Sequence, residues 1–274
     1  MPLLRRPDGV DLAWGEQGEG PLIVLANQFF GRAETFDGLI RDLTRDHRLV
    51  TYNLRGTGES TRDGPYDMET DSADLEAVIE TAGGEAVAVA FADGCNRAVR
   101  VAARRPDLVR YVVCPAGNPV GLEAVEGTDA LAGSESVLRA LVGMMGTDYR
   151  GALRTMFATA NPDWSDDEVR ARVTLTVELL PQEAALPRMK SWIADEVREE
   201  CLALGDRLWM LEDGTNPWFP IEVARRTREI LPEAQILEVE NGAISRPDIS
   251  SGVIRSLTSG TPVSAAAQSG DGPR

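Results

Sequence analysis

The sequence predicts an α/β protein: a mostly parallel sheet, flanked by helices and interrupted by a helical cap insertion. Two observations carry this. Short, continuously apolar runs such as 22–26 and 86–90 alternate with segments of helical period. A strand buried on both faces reads as such a run, and strands that alternate with helices build a doubly wound sheet. The rhythm then breaks between about 120 and 204, where helical spacing continues with no convincing strand, and it resumes at 207.

Taken in order, residues 9–15 alternate like an early strand and end in a glycine-rich turn. Residues 22–26 form the first buried run. Residues 33–46 carry Phe36, Leu39, Ile40 and Leu43 at helical spacing, and 48–52 form the next strand. A glycine-rich loop at 53–58 leads to a helix over 71–82, with Leu75, Val78 and Ile79 on one face. Strand 86–90 turns sharply into a helix over 96–105, and 108–114 is another strand. After the helical block come strand 207–211, helix 221–231, strand 235–239 and a last helix at 249–258. The expected organisation is a core of residues 1–118 and 205–260, a cap over 119–204, and a disordered tail over 261–274. The tail is rich in Ser, Gly, Ala and Pro. A helical insertion between two strands falls over the carboxyl ends of the sheet, where open α/β sheets bind ligands.

Composition narrows the function. The chain has 274 residues, enough for a sizeable core, and a formal charge of −16 with a single lysine, Lys190. Such a chain repels phosphate backbones, so no nucleic-acid partner is expected. No apolar run is long enough to span a bilayer, so no membrane partner is expected either. The first residues lack the apolar core of a signal peptide, and cytoplasmic location is the default expectation. The three cysteines, Cys95, Cys114 and Cys201, are scattered. They fit neither a zinc site nor a disulfide framework, and neither metal nor cofactor is expected.

The most specific local signal is the turn after 86–90. Ala90 and Gly94 are small residues placed two before and two after Ala92. A strained strand-to-helix elbow of the G-x-S-x-G kind demands that flanking, and it puts Ala92 in the nucleophile position. Together with residues 22–31, 52–60 and 102–109, this turn resembles the α/β-hydrolase superfamily in order and spacing. The resemblance covers nearly the whole chain outside the cap and tail. It implies an α/β-hydrolase fold and a catalytic nucleophile, acid and histidine on three loops.

The departures from that pattern are systematic. Ala92 cannot attack a substrate. The acid position holds Asn216, followed by Pro217, and the alternative acid position one strand earlier holds Asn118. Ala243 stands where the resemblance implies histidine. The chain has only one histidine, His47, which opens a strand at the far end of the sheet and is expected on the surface. The strand-end motif that helps shape an oxyanion site reads Asn27-Gln28. Cys95 lies in the first turn of the elbow helix, with no histidine to serve as its base. Glu212 and Asp213 lie beside the acid loop. Asn27, Gln28, Phe29, Phe30, Phe91, Ala92, Asp93, Trp218 and Ile244 are the candidate substrate-binding residues. Met144, Met145, Met156 and Phe157 of the cap are candidate apolar walls, with core packing as their other reading.

A fold without its triad suggests chemistry in which the substrate brings its own base. In fold and in lacking a triad, the chain resembles the epimerase of bottromycin biosynthesis. That likeness implies a non-hydrolytic peptide epimerase or isomerase acting on a modified peptide by substrate-assisted Cα proton transfer. The alternatives are an inactive pseudoenzyme that binds a small natural product and, least favoured, an esterase-type hydrolase. The expected partner is a small molecule or modified peptide.

Overall fold

The computed structural model describes residues 1–30, 36–126, 135–212, 221–239 and 246–263. Its centre is an eight-stranded sheet. The strands are β1 (Leu3–Arg5), β2 (Asp11–Gln17), β3 (Leu22–Ala26), β4 (Arg48–Tyr52), β5 (Ala86–Phe91), β6 (Val109–Ala116), β7 (Leu208–Glu212) and β8 (Gln235–Glu238). Their order across the sheet is β1-β2-β4-β3-β5-β6-β7-β8. The β1–β2 and β2–β4 pairs are antiparallel, and every later pair is parallel. The sequence reading missed β1, whose three residues are too few to show alternation.

Strand parity builds two cores. In β3, Leu22, Val24 and Ala26 face one layer while Ile23 and Leu25 face the other. In β5, Ala86, Ala88 and Ala90 join the first layer, and Val87, Val89 and Phe91 join the second. The first layer is covered by α2 (Met68–Ala82) and α3 (Gly94–Arg104), which contribute Leu75, Val78, Ala98 and Val101. The second lies under α1 (Asp37–Leu43) and α11 (Pro247–Ser259), through Leu39, Leu43, Val253 and Ile254. Burying each large apolar side chain stabilises the fold by about 1.5–3 kcal/mol. The alanines of β5 let α3 approach the sheet closely.

Local signals set the helix ends. Asp67 caps α2 by accepting from the Thr70 N–H at 2.7 Å, and Gly83 ends it in the left-handed region at φ 106°. Between β6 and β7 lie α4 (Gly121–Ala124), α5 (Glu135–Thr147), α6 (Tyr149–Ala160), α7 (Asp166–Leu179), α8 (Gln182–Ile193) and α9 (Arg198–Leu204). Helix α10 (Ile221–Ile230) joins β7 to β8. Ser165 and Glu168 form a reciprocal capping box at the start of α7.

Buried ion pairs attach this helical insertion to the core. Arg188 on α8 grips Asp71 on α2 with bonds of 2.6 and 2.9 Å, and neither side chain is exposed. The same guanidinium donates to the Arg55 carbonyl at 2.5 Å. Arg100 on α3 pairs with Asp195 at 2.6 Å, and Asn96 donates to the same carboxylate at 3.0 Å.

His47 departs from expectation. It is buried, with Nδ1 2.8 Å from Asp46 and Nε2 2.9 Å from the Thr258 hydroxyl on α11. It sits at the amino end of β4, where α11 covers it. Among the described residues no helix is long and apolar enough to cross a membrane, and no three or more His, Cys, Asp or Glu side chains are grouped as metal ligands.

Candidate functional site

The site is built where β5 ends. Ala92 follows Phe91 with φ 47°, in the left-handed region that a residue with a Cβ rarely enters. Two tight contacts hold this turn. A Cβ on Gly94 would fall 2.8 Å from the Ala26 carbonyl carbon, and closer still to its oxygen. A Cβ on Gly117 would fall 2.6 Å from the Ala92 nitrogen and 2.8 Å from Cys95 Sγ. Only glycine fits either place. The Ala92 N–H donates to the Ala116 carbonyl at 2.7 Å, and the Cys95 N–H donates back to the Ala92 carbonyl at 3.0 Å. The chain is thereby forced straight from strand into helix. Ala92 itself stays partly exposed at the tip.

Asp93 opens α3 and is buried. One carboxylate oxygen accepts from the Phe29 N–H at 3.2 Å, and the other accepts from Arg97. Arg97, also fully buried, donates to the Asn27 carbonyl as well. This one ion pair therefore ties the loop after β3 to the elbow helix. Burial pushes the Asp93 carboxyl above its usual range, and the Arg97 charge only partly counters that.

Cys95 is buried behind the turn. Burial, contact with Cys114 and the charges of Asp93 and Glu212 push its thiol well above the ordinary range. A thiol so placed stays protonated and is a poor nucleophile.

At the ends of β6 and β7, the Asn118 amide donates to Glu212 at 3.0 Å and to the Thr227 hydroxyl at 2.7 Å. The Thr227 hydroxyl in turn donates to the Val223 carbonyl at 2.8 Å, and the Asn118 side-chain oxygen accepts from the Val120 N–H at 3.1 Å. Asn118 is thus a bridge between two strand ends, and Glu212 is a buried carboxylate at the end of β7, two strands from the elbow.

A cavity of about 350 Å³ opens at the carboxyl ends of β3 and β4. Its walls are residues 27–30 after β3, residues 51–54 at the end of β4, residues 57–59, and Thr176, Leu179 and Leu180 at the end of α7, with Met1 and Leu25. The Phe29 and Phe30 rings lie 4.2 Å apart, tilted by 45°.

The structure thus brings Asn27, Gln28, Phe29 and Phe30 together on one cavity wall, with Ala92 and Asp93 at the adjacent turn. Phe91 is placed differently from the reading of it as a cavity residue. It is buried in the α1/α11 core, stacked on Phe36 at 3.4 Å, because strand parity points it away from Ala90. Trp218, Ile244, Asn216 and Ala243 lie outside the described residues, as does Asp213. Of the residues on α5 and α6, Met145 is core, Met156 and Phe157 pack on its edge, and Met144 is exposed. Sequence reasoning missed Tyr52, Thr176 and Leu179 as cavity walls and Arg97 as the anchor of Asp93. Parity on β4 could have flagged Tyr52, but nothing local pairs it with α7.

Residues 21–243 match the model of the alpha/beta hydrolase fold family, and the chain belongs to that family. It is 29% identical over 126 residues to the 2-(acetamidomethylene)succinate hydrolase of Mesorhizobium japonicum, which is 45% of each chain. It is 36% identical over 110 residues to the probable oxidoreductase EphD of Mycobacterium tuberculosis, covering 38% of this chain and 19% of that one. The matched segment thus spans less than half of either relative. In structure, the chain resembles the esterase EaEST of Exiguobacterium antarcticum, with a TM-score of 0.80 at 15% identity over 94% of this chain and 98% of that one. It also resembles the Bacillus megaterium epoxide hydrolase, with a TM-score of 0.72 at 16% identity over 94% of this chain and all of that one.

These likenesses correct the functional expectation. Hydrolases recur among the proteins that the chain resembles, which speaks against peptide epimerisation; the binding-only alternative gains no support. The error has a physical source. An alanine at the elbow removes one route to acyl transfer, but it supplies no proton chemistry at Cα and no surface that recognises a modified peptide.

Proposed function

We propose, taking membership of the α/β hydrolase fold family as the premise, that this protein hydrolyses a small molecule by direct attack of water, with no covalent intermediate. The observation that carries the reading is the elbow. Its backbone is held in the strained turn, yet its tip is a methyl group. Such a tip leaves room for a water where a nucleophilic oxygen would otherwise stand.

Glu212 is the base in this reading. The β6–β7 register pairs Cys114 with Met210, and continuing it sets Glu212 beside Ala116, the residue that accepts the Ala92 N–H. Asp93 is a poorer base, since one of its oxygens faces a guanidinium. In the step, the water oxygen attacks the substrate carbonyl carbon and passes its proton to Glu212. Backbone N–H groups at the start of α3 stabilise the oxyanion. Collapse then expels the leaving group, which takes the proton back from Glu212. No histidine protonates the leaving group, so the reading favours strained or electron-poor carbonyls such as lactones and enol esters.

The test is a panel of such substrates, with single-turnover reactions in ¹⁸O-labelled water and a fluorophosphonate probe. The expected result is turnover above the uncatalysed rate, one labelled oxygen in the product acid and no labelled protein. Glu212→Gln should lower kcat by about 10²-fold or more. Absence of turnover across the panel, or covalent labelling of the protein, would refute the proposal.

A further inference from the structure

The cavity at the carboxyl ends of β3 and β4 presents polar groups that the protein itself leaves unused. Part of its wall is already bonded. The Asn27 side-chain oxygen accepts from the Gln28 N–H at 2.9 Å, and the Thr57 hydroxyl donates to the Leu54 carbonyl at 2.7 Å. The Tyr52 hydroxyl lies against the buried Arg97 guanidinium. The side chains of Gln28, Thr51, Asn53 and Thr176 also line the wall, and they bond no other described residue. Thr176 matters most, because it is only 3% exposed. A hydroxyl buried to that degree normally has a partner, and leaving it without one costs free energy that a ligand atom can recover.

These groups are held in place by the fold. The Gly58 N–H donates to the Leu179 carbonyl at 3.1 Å, which ties the loop after β4 to the end of α7, the helix that carries Thr176. Gly58 has φ 51°, and a Cβ there would fall 2.5 Å from Asn53 Nδ2, so the glycine leaves the Asn53 amide its space. The Phe29 and Phe30 rings add an apolar surface to the same wall. A hydroxyl or a carboxamide side chain both donates and accepts. The ligand group that answers both functions is a hydroxyl. A carbonyl or carboxylate only accepts and an ammonium only donates, so each leaves part of this wall unmatched. The volume of about 350 Å³ is at the small end of the roughly 300–1,000 Å³ of ligand sites, which suits one ring rather than a chain.

We infer that this cavity binds a polyhydroxylated ring of the sugar kind. Gln28, Thr51, Asn53 and Thr176 bond its hydroxyls, and its C–H face packs on Phe29 and Phe30. Strand β3 lies next to β5, and the Phe29 N–H bonds Asp93, the residue after Ala92, so the ring lies on the flank of the elbow. Resting on the hydrolytic reading, this deepens it: the part of the substrate that does not react is such a ring.

The experiment is calorimetric titration of the full chain with the methyl pyranosides of glucose, galactose, mannose and xylose. The control is 2-methoxytetrahydropyran, which keeps the ring and the methoxy group but has no hydroxyl. At least one glycoside is expected to bind with Kd below about 1 mM, and the control at least about tenfold more weakly. Thr176→Val removes the hydroxyl and keeps the shape, and should weaken the bound glycoside about fivefold or more, whereas Thr176→Ser should retain it. Thermal melts check that the variants fold. Gln28→Leu, at a partly exposed position, gives the same test if Thr176→Val does not fold. The inference is overturned if no glycoside binds at about 10 mM, or if the control binds as tightly. It is also overturned if glycoside affinity is untouched by the folded variants. Binding needs no turnover. Glycoside binding without hydrolysis of any ester therefore rejects only the catalytic proposal, whereas hydrolysis without glycoside binding rejects only this one.

Discussion

Replacing Arg188 by methionine should destabilise the protein far more than the loss of one surface pair. Arg188 and Asp71 are both fully buried and joined by bonds of 2.6 and 2.9 Å, and the same guanidinium supports the Arg55 carbonyl at 2.5 Å. Its charge also stands 5.0 Å over the Tyr66 ring. Methionine fills much of the volume but leaves the Asp71 carboxylate buried without its counter-charge. Breaking a buried pair in this way costs about 3–5 kcal/mol. In a chain of this size that lowers Tm by roughly 10 °C. Changing both partners, Asp71→Leu with Arg188→Met, removes the stranded charge. Such replacements are often neutral or stabilising. What then remains is the unsatisfied Arg55 carbonyl, worth about 1–2 kcal/mol. The double variant should therefore be more stable than Arg188→Met by about 2 kcal/mol or more. Urea titration followed by tryptophan fluorescence measures all four corners of the cycle. A single variant that costs under about 1 kcal/mol, or a double variant no better than the single, would refute the view that this pair holds the insertion to the core.

Three further variants test local geometry and charge. Gly94→Ala should prevent stable folding, because its Cβ would press on the Ala26 backbone. Gly252→Ala in α11, where a Cβ meets nothing within 4 Å, should stabilise by about 0.5–1 kcal/mol; thermal melts separate the two. Asp46 has its pKa lowered to about 2, first by its bond to Arg255. A depressed carboxyl contributes stability that is present above its unfolded pKa, about 3.9, and is lost as pH falls through 2. The side chain is 47% exposed, so screening holds the effect to about 1 kcal/mol or less. Asp46→Asn should accordingly lower stability at pH 7 by that amount and flatten its decline between pH 4 and 2, as read from urea midpoints.

The sheet was largely legible in the chain because its strands advertise themselves locally. Residues 22–26 and 86–90 are apolar at every position, which only a strand covered on both faces tolerates. The elbow was legible for a related reason. Ala90 and Gly94 flank Ala92 at the spacing that a strained turn requires, and that demand arises from backbone atoms a few residues apart. The site was less legible. Phe91 reads as a cavity aromatic until the parity of β5 turns it into the α1/α11 core. His47 reads as a surface residue until Thr258, far along the chain, closes over it.

By itself, then, the sequence determined the α/β architecture, the strand-to-helix turn at Ala92 and the absence of a histidine in its second half. Each is a matter of residue type and short-range spacing. Tertiary structure decided the walls of the cavity and the partners of the buried charges. Tyr52, Thr176 and Leu179 line the cavity from distant elements, Arg97 anchors Asp93 to the loop after β3, and Arg188 finds Asp71 across 117 positions. Local periodicity states which face of an element is buried. It does not state against what, because that partner is set by how the layers pack once the whole chain has condensed.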